Sequence, residues 1–173
     1  MWFDVWEDET EKMKKIFSRG SNKFQLANFA IGDKSEMNEL KLSANFSLND
    51  YARKAGDEWL INMNLLKPFQ GEEIDYPKRR MPVEKDFLYT NRYVVVLNVP
   101  DGFKASYVPE GKTFENELWG FSTDYKVADN KIIYTVQFHN NRLMININEF
   151  EKWNKVLEVL NPLYKELVIL SKK

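Results

Sequence analysis

His139 is the single histidine of the chain, and an imidazole that titrates near neutrality is the natural candidate for acid–base work. By parity it shares a strand face with Ile133, Thr135 and Gln137, opposite a strongly apolar face, and it adjoins the Asn140-Asn141 pair. One reading is a general base. The favoured one is an exposed strand-end histidine, because no motif marks a serine or carboxylate partner for it. Glu72, Glu73 and Asp75 could make a glycosidase pair or a calcium site. Their spacing fits no calcium loop and no rigid strand flanks them, so a solvated loop is favoured. Lys78-Arg79-Arg80 could grip a phosphate or a partner's carboxylate; such a run is more often solvated, or packs one arginine back onto its domain. The aromatic residues Trp59, Tyr89, Tyr93, Trp119, Phe121, Tyr125 and Tyr134 could form a platform for sugar or peptide. Their alternation with aliphatic neighbours favours core packing. Trp59, Arg79, Arg80, Trp119 and His139 remain as a possible ligand or partner surface. No catalytic, cofactor-binding or metal-ligating residue is assigned.

Composition narrows the chemistry further. There is no cysteine, which rules out disulfides, thiolate metal sites and a cysteine nucleophile within this chain. One histidine rules out a two-His metal site. Twenty-five basic residues against 26 acidic ones give a formal net charge of −1, so no nucleic-acid or anionic-membrane signature is present. No apolar run reaches membrane-spanning length, and the acidic start, Met1 to Glu9, lacks the basic and apolar regions of a signal peptide. With 173 residues, 43% of them hydrophobic, the chain suffices for one well-cored domain or two small ones packed together.

The elements that would position these residues are mainly strands. Residues 4–19 predict a helix with Val5, Trp6, Met13, Ile16 and Phe17 in its apolar stripe and Gly20 as its stop. Phe24 to Ile31 changes parity midway, which a bulge near Ala27-Asn28 would reconcile. Gly32-Asp33-Lys34-Ser35 connects to a half-buried strand over Leu40 to Leu48, and Trp59 to Asn62 is a short strand. Residues 63–82, punctuated by prolines and glycine, form a long connection with a sub-boundary near 68–78. The run from Tyr89 to Val99 is apolar on both faces in its middle, which predicts a strand covered on both sides. Residues 103–108 form a short strand, and residues 119–138 a hairpin through Asp129-Asn130, a pair that tolerates positive φ. Asn140-Asn141 is another tight turn, leading to Leu143, Ile145 and Ile147. A second helix starts near Asn148, which can act as N-cap with Glu151 in a capping-box variant, runs through Phe150, Trp153, Leu157 and Leu160, and ends or kinks at Asn161-Pro162. Leu167 to Leu170 closes the fold as a strand. The expected class is mainly β (α+β): antiparallel, sandwich-like sheets with an N-terminal helix and a helix near the C-terminus. Residues 1–66 form a first part and residues 67–173 a second, in one unit.

Several short words along this order match a known family. Arg80-Met81-Pro82-Val83 precedes a strand, Tyr93 through Leu97 forms it, and Val99-Pro100-Asp101-Gly102-Phe103-Lys104 follows. Tyr107-Val108-Pro109, Asn130-Lys131-Ile132, Phe150-Glu151-Lys152-Trp153 and Leu167 through Lys173 continue the series, with looser matches at Gly20 to Phe24 and Leu48 to Tyr51. From about Lys67 onward the chain resembles the β-rich C-terminal region (DUF3858) of Bacteroidetes proteins that carry a DUF3857 domain and a transglutaminase-like domain upstream. The resemblance implies a non-catalytic accessory β domain of a larger secreted or periplasmic protein. Its partner would be the transglutaminase-like domain of the same polypeptide. The start almost at once in amphipathic helix is what a piece cut from a longer protein would show. The alternative expectation is a carbohydrate- or peptide-binding module using surface aromatics. A hydrolase built on His139 and carboxylates is the least favoured. No cofactor is expected.

Overall fold

Alternating strands and tight turns dominate the computed structural model, which describes residues 8–20, 23–32 and 41–173. The strands are β1 (Phe24–Ile31), β2 (Leu42–Leu48), β3 (Arg53–Ala55), β4 (Glu58–Ile61), β5 (Val83–Glu84), β6 (Tyr89–Asn98), β7 (Phe103–Tyr107), β8 (Thr113–Glu115), β9 (Trp119–Ala128), β10 (Lys131–Asn140), β11 (Met144–Ile145) and β12 (Val168–Lys172). The helices are α1 (Glu9–Phe17) and α2 (Phe150–Leu163), with a 3-10 turn (Ile147–Glu149) before α2. Two compact units result, Met1–Tyr51 and Ala52–Lys173.

In the first unit α1 buries Met13 and carries Glu9 and Glu11 in its first turn and Lys14 and Lys15 in its last. That placement complements the helix dipole. Val5 and Trp6, expected in its stripe, lie outside the described residues. β1 and β2 pair antiparallel with a register shift between Leu26 and Asn28, where the change of parity predicts a bulge. The rings of Phe24 and Phe46 meet at 5.0 Å. The expected connection at 33–35 and Leu40 also lie outside the described residues.

The second unit is built on the hairpin that alternation predicts. β9 and β10 pair residue for residue from Trp119↔Asn140 to Ala128↔Lys131. Asp129 and Asn130 turn the chain with φ of 47° and 60°, the two left-handed residues that a twist-matched two-residue hairpin needs. The sheet order is β6-β10-β9-β8. Its inner face buries Trp119, Phe121, Ile132, Tyr134, Val136 and Phe138. α2 covers that core with Phe150, Trp153, Val156, Leu157, Leu160 and Leu163. A second antiparallel sheet, β3-β4-β12-β7, adds Val168 and Leu170. The architecture is thus mainly β, antiparallel and sandwich-like, with one short helix near the N-terminus and one before the last strand.

Three expectations are corrected. β6 is the edge of its sheet and β10 holds the interior position. Its outer face is open, with Val94 50% and Val96 49% exposed; apolar side chains on both faces reflect β-branched residues that suit a strand whether or not they are covered. Asn140, expected in a tight turn, is the last residue of β10, paired with both Tyr89 and Trp119, and the run Leu143, Ile145, Ile147 yields only Met144–Ile145 paired with Val83–Glu84, because the chain passes at once into the 3-10 turn. The capping pair lies two residues earlier than expected: Asn146 caps the 3-10 turn, and α2 itself begins at Phe150. Asn146 donates its backbone N–H and side-chain amide to the Glu149 carboxylate, each at 2.9 Å, so the Asn-x-x-Glu pair is 146/149 and not 148/151. Pro162 sits in the last turn of α2, and Tyr164 follows as the cap.

The long connection 63–82 has little regular structure, so its backbone polar groups need other partners. Residues of α2 and the segment after it supply them. Asn154 clamps Ile74, accepting from its N–H at 2.8 Å and donating to its C=O at 2.9 Å. Trp153 donates Nε1–H to Glu72 O at 3.2 Å, and the Tyr164 hydroxyl donates to Pro68 O at 2.6 Å. Phe69 adopts a left-handed backbone, φ 66°, and inserts its ring among Trp119, Phe138 and Trp153 at centroid distances of 4.9, 5.3 and 6.2 Å.

Candidate functional site

Because the connection is tied to α2, its charged residues border a cavity of about 500 Å³ lined by Glu72, Glu73, Ile74, Asp75, Lys78, Arg79, Val83, Lys85 and Trp153. The acidic and basic clusters of the sequence meet here. Glu73 accepts from Asn161 Nδ2 at 2.6 Å, and Lys78 pairs with Asp75 at 2.9 Å. Both are surface contacts worth little to stability. Arg79 turns back onto its own loop, donating to Met81 O at 2.9 Å and Pro82 O at 3.2 Å, which is the packing alternative that the Lys-Arg-Arg run offered. Arg80 is exposed.

The floor of the cavity is Trp153. One ring face stacks on Trp119 at 4.6 Å, and the Lys85 ammonium lies 4.7 Å from the ring centroid, a cation–π contact. Neither role is legible locally: the α2 stripe predicts Trp153 as buried, but only the three-dimensional course of the loop brings Lys85 to it. The mixture of a carboxylate wall, cations and an indole suits a polar chain segment bearing both charges.

The other candidates fall elsewhere. Trp119 is 1% exposed and donates Nε1–H to Trp153 O at 3.4 Å, so it belongs to the core. Trp59 lies on β4 opposite Lys54 and Leu170, partly buried against the core. His139 lies on the outer sheet face, its Nε2 3.2 Å from Glu115 Oε2. It stands beside Gly120, where a Cβ would come within 2.3 Å of Glu115 Cβ and 2.9 Å of His139 Cε1. The structure thus gives His139 the carboxylate neighbour that no motif marked, and it brings none of Trp59, Trp119, Arg79 and Arg80 to that face. Among the described residues, no three of His, Asp and Glu converge as a metal site, and no helix is long and apolar enough to cross a membrane.

A further surface surrounds the small β5–β11 sheet. Met81, Phe87, Leu88, Leu143 and Met144 are 72%, 65%, 55%, 49% and 50% exposed. The segments that carry them are tied by Lys85 N–H donating to Leu143 O at 2.7 Å and by the buried Asn140 donating Nδ2 to Phe87 O at 3.3 Å. Single exposed apolar residues are ordinary, but a grouped set is a feature of contact surfaces.

The family model described as Domain of Unknown Function with solved-structure structure (DUF3858) matches residues 57–170. The chain belongs to the DUF3858 family. The matched span holds the cavity, the β5–β11 surface and the His139–Glu115 pair, and it lies within the second compact unit. Neither among curated proteins nor among solved structures does anything match this chain.

Proposed function

We propose that this DUF3858 chain is a non-catalytic accessory β domain that works by contact with another domain, in a larger extracytoplasmic protein of the transglutaminase-like kind. The observation that carries the reading is the set of exposed apolar residues around the β5–β11 pair: Met81, Phe87, Leu88, Leu143 and Met144. Burial of such a group against a partner contributes roughly 25 cal/mol per Å². The resemblance of the chain's words to the region following a transglutaminase-like domain supports such a domain as the partner. Titration with a transglutaminase-like domain from the same reading frame tests it. Binding and a rise in melting temperature are expected for the native chain, with loss of both in Phe87→Asp and Met144→Asp. Neither binding nor stabilisation of the native chain would count decisively against the proposal.

The cavity over Trp153 favours a second reading, capture of a peptide or glycan. A ligand displacing Lys85 from the indole would change tryptophan fluorescence, and silence across a glycan and peptide panel would dismiss it.

A further inference from the structure

We infer that β6 is a self-association edge, pairing antiparallel with β6 of a second copy of this chain across a twofold axis at Val95. The hairpin fixes which way the edge faces. In a two-residue hairpin the residues flanking the turn, Ala128 and Lys131, form a hydrogen-bonded pair. Alternation then directs the peptide groups of Lys131, Ile133, Thr135, Gln137 and His139 to β9, and those of Ile132, Tyr134, Val136 and Phe138 to β6. From the β6–β10 register, Asn91, Tyr93, Val95 and Leu97 are bonded to β10. Thr90, Arg92, Val94, Val96 and Asn98 therefore point their N–H and C=O groups away from the sheet. Among the described residues, no other element or side chain bonds to those groups.

Edges are usually blunted by bulges, prolines, inward charges or short length. β6 has none of these within its 10 residues, and its pairing with β10 runs without a register shift. The same stretch exposes Val94 and Val96 by about half. An edge with a regular ladder, open peptide groups, an apolar centre and the single charge of Arg92 is a pairing template.

The sequence of the strand argues for a second copy as the occupant. A twofold axis at Val95 sets Val94 opposite Val96 of the second copy and Tyr93 opposite its Leu97. Arg92, the strand's only charged residue, falls opposite the neutral amide of Asn98. Every outward peptide group from Arg92 to Asn98 finds a partner, and the ladder stops where Thr90 would face Pro100, which lacks a donor. An axis at Val94 would put Arg92 against Val96, and one at Arg92 would oppose two guanidinium groups. The Val95 axis sets valine against valine on the outer face and tyrosine against leucine on the inner one, with no charge opposed to charge.

The test uses the whole chain. Sedimentation across a concentration series should show a monomer–dimer equilibrium. Hydrogen exchange at rising concentration should protect the Arg92, Val94, Val96 and Asn98 amides. Those of Tyr93, Val95 and Leu97, already bonded to β10, should change little. Val96→Pro removes an outward N–H only and should raise the dimer dissociation constant more than about tenfold, with the circular dichroism unchanged. Val95→Cys, the sole cysteine in its chain, should cross-link to itself on oxidation, since non-hydrogen-bonded pairs bring Cα atoms within disulfide range. A native chain that stays monomeric at hundreds of micromolar overturns the inference. So does a dimer in which the even-numbered β6 amides gain no protection.

Discussion

Tyr134, 2% exposed on β10, donates its hydroxyl to the Oδ1 of the buried Asn64 at 2.8 Å. Removing that hydroxyl strands a buried acceptor, which costs about 1–3 kcal/mol. Tyr134→Phe should lower the unfolding free energy in urea by that amount at pH 7. The same residue makes stability depend on alkaline pH. Burial raises the pKa values of Tyr125, Tyr134 and Tyr164, with Tyr134 and Glu166 adding to it at Tyr125, Tyr164 and Glu166 at Tyr134, and Tyr93 and Glu72 at Tyr164. In the unfolded chain these phenols ionise near pH ~10. A raised folded-state pKa stabilises the fold fully below that pH, and the contribution is lost as pH climbs toward the folded value. Stability should therefore decline above pH ~10, and the Tyr134→Phe penalty should shrink there. The tyrosinate absorbance that Tyr134→Phe removes should rise together with the loss of circular dichroism; its appearance clearly before unfolding would contradict this account.

At the scale of elements, the Asp129-Asn130 turn does two jobs. It closes the β9–β10 hairpin, and Asn130 also donates Nδ2 to Val99 O at 2.7 Å while Val99 N–H donates to Asn130 O at 2.9 Å, fastening the end of β6. Asn130→Ala loses the side-chain bond and forces alanine into φ 60°, for a combined cost of about 2 kcal/mol in chemical denaturation. Asn130→Gly should recover the backbone share; equal losses in the two variants would refute that split. This turn was legible because both its signals are local: period-two alternation on either side, and residues that tolerate left-handed backbone between. The bulge of β1, the closing strand and the apolar stripe of α2 were legible for the same reason. The edge position of β6 was not, since β10, some forty residues later in sequence, decides which side of β6 is paired. The partners of loop 63–82 were hidden too. Asn154 meets Ile74 across 80 residues, and a lone asparagine in a helix carries no mark of such a bond. Of the candidate residues, Arg79 reached the cavity, Trp119 the core and His139 the opposite face, because local pattern places a side chain on a face without saying which faces converge.

At the scale of the molecule, the buried cluster from Met63 to Leu170 is drawn wholly from the second compact unit. Residues 52–173 produced alone should unfold in one cooperative urea transition, with fluorescence and circular dichroism coinciding; a broad, probe-dependent transition would mean that this unit does not hold its own core. Within that unit, position 69 answers to two demands that no single amino acid meets. Glycine would relax the left-handed backbone, which costs a side-chain-bearing residue about 1–2 kcal/mol, but would leave a hole among Trp119, Phe138 and Trp153. Any residue large enough to fill the hole keeps the strain. The consequence is evolutionary: drift at this site has no improving step, so Phe69 pins the length of the loop before it, and inserted residues can accumulate only further along the connection.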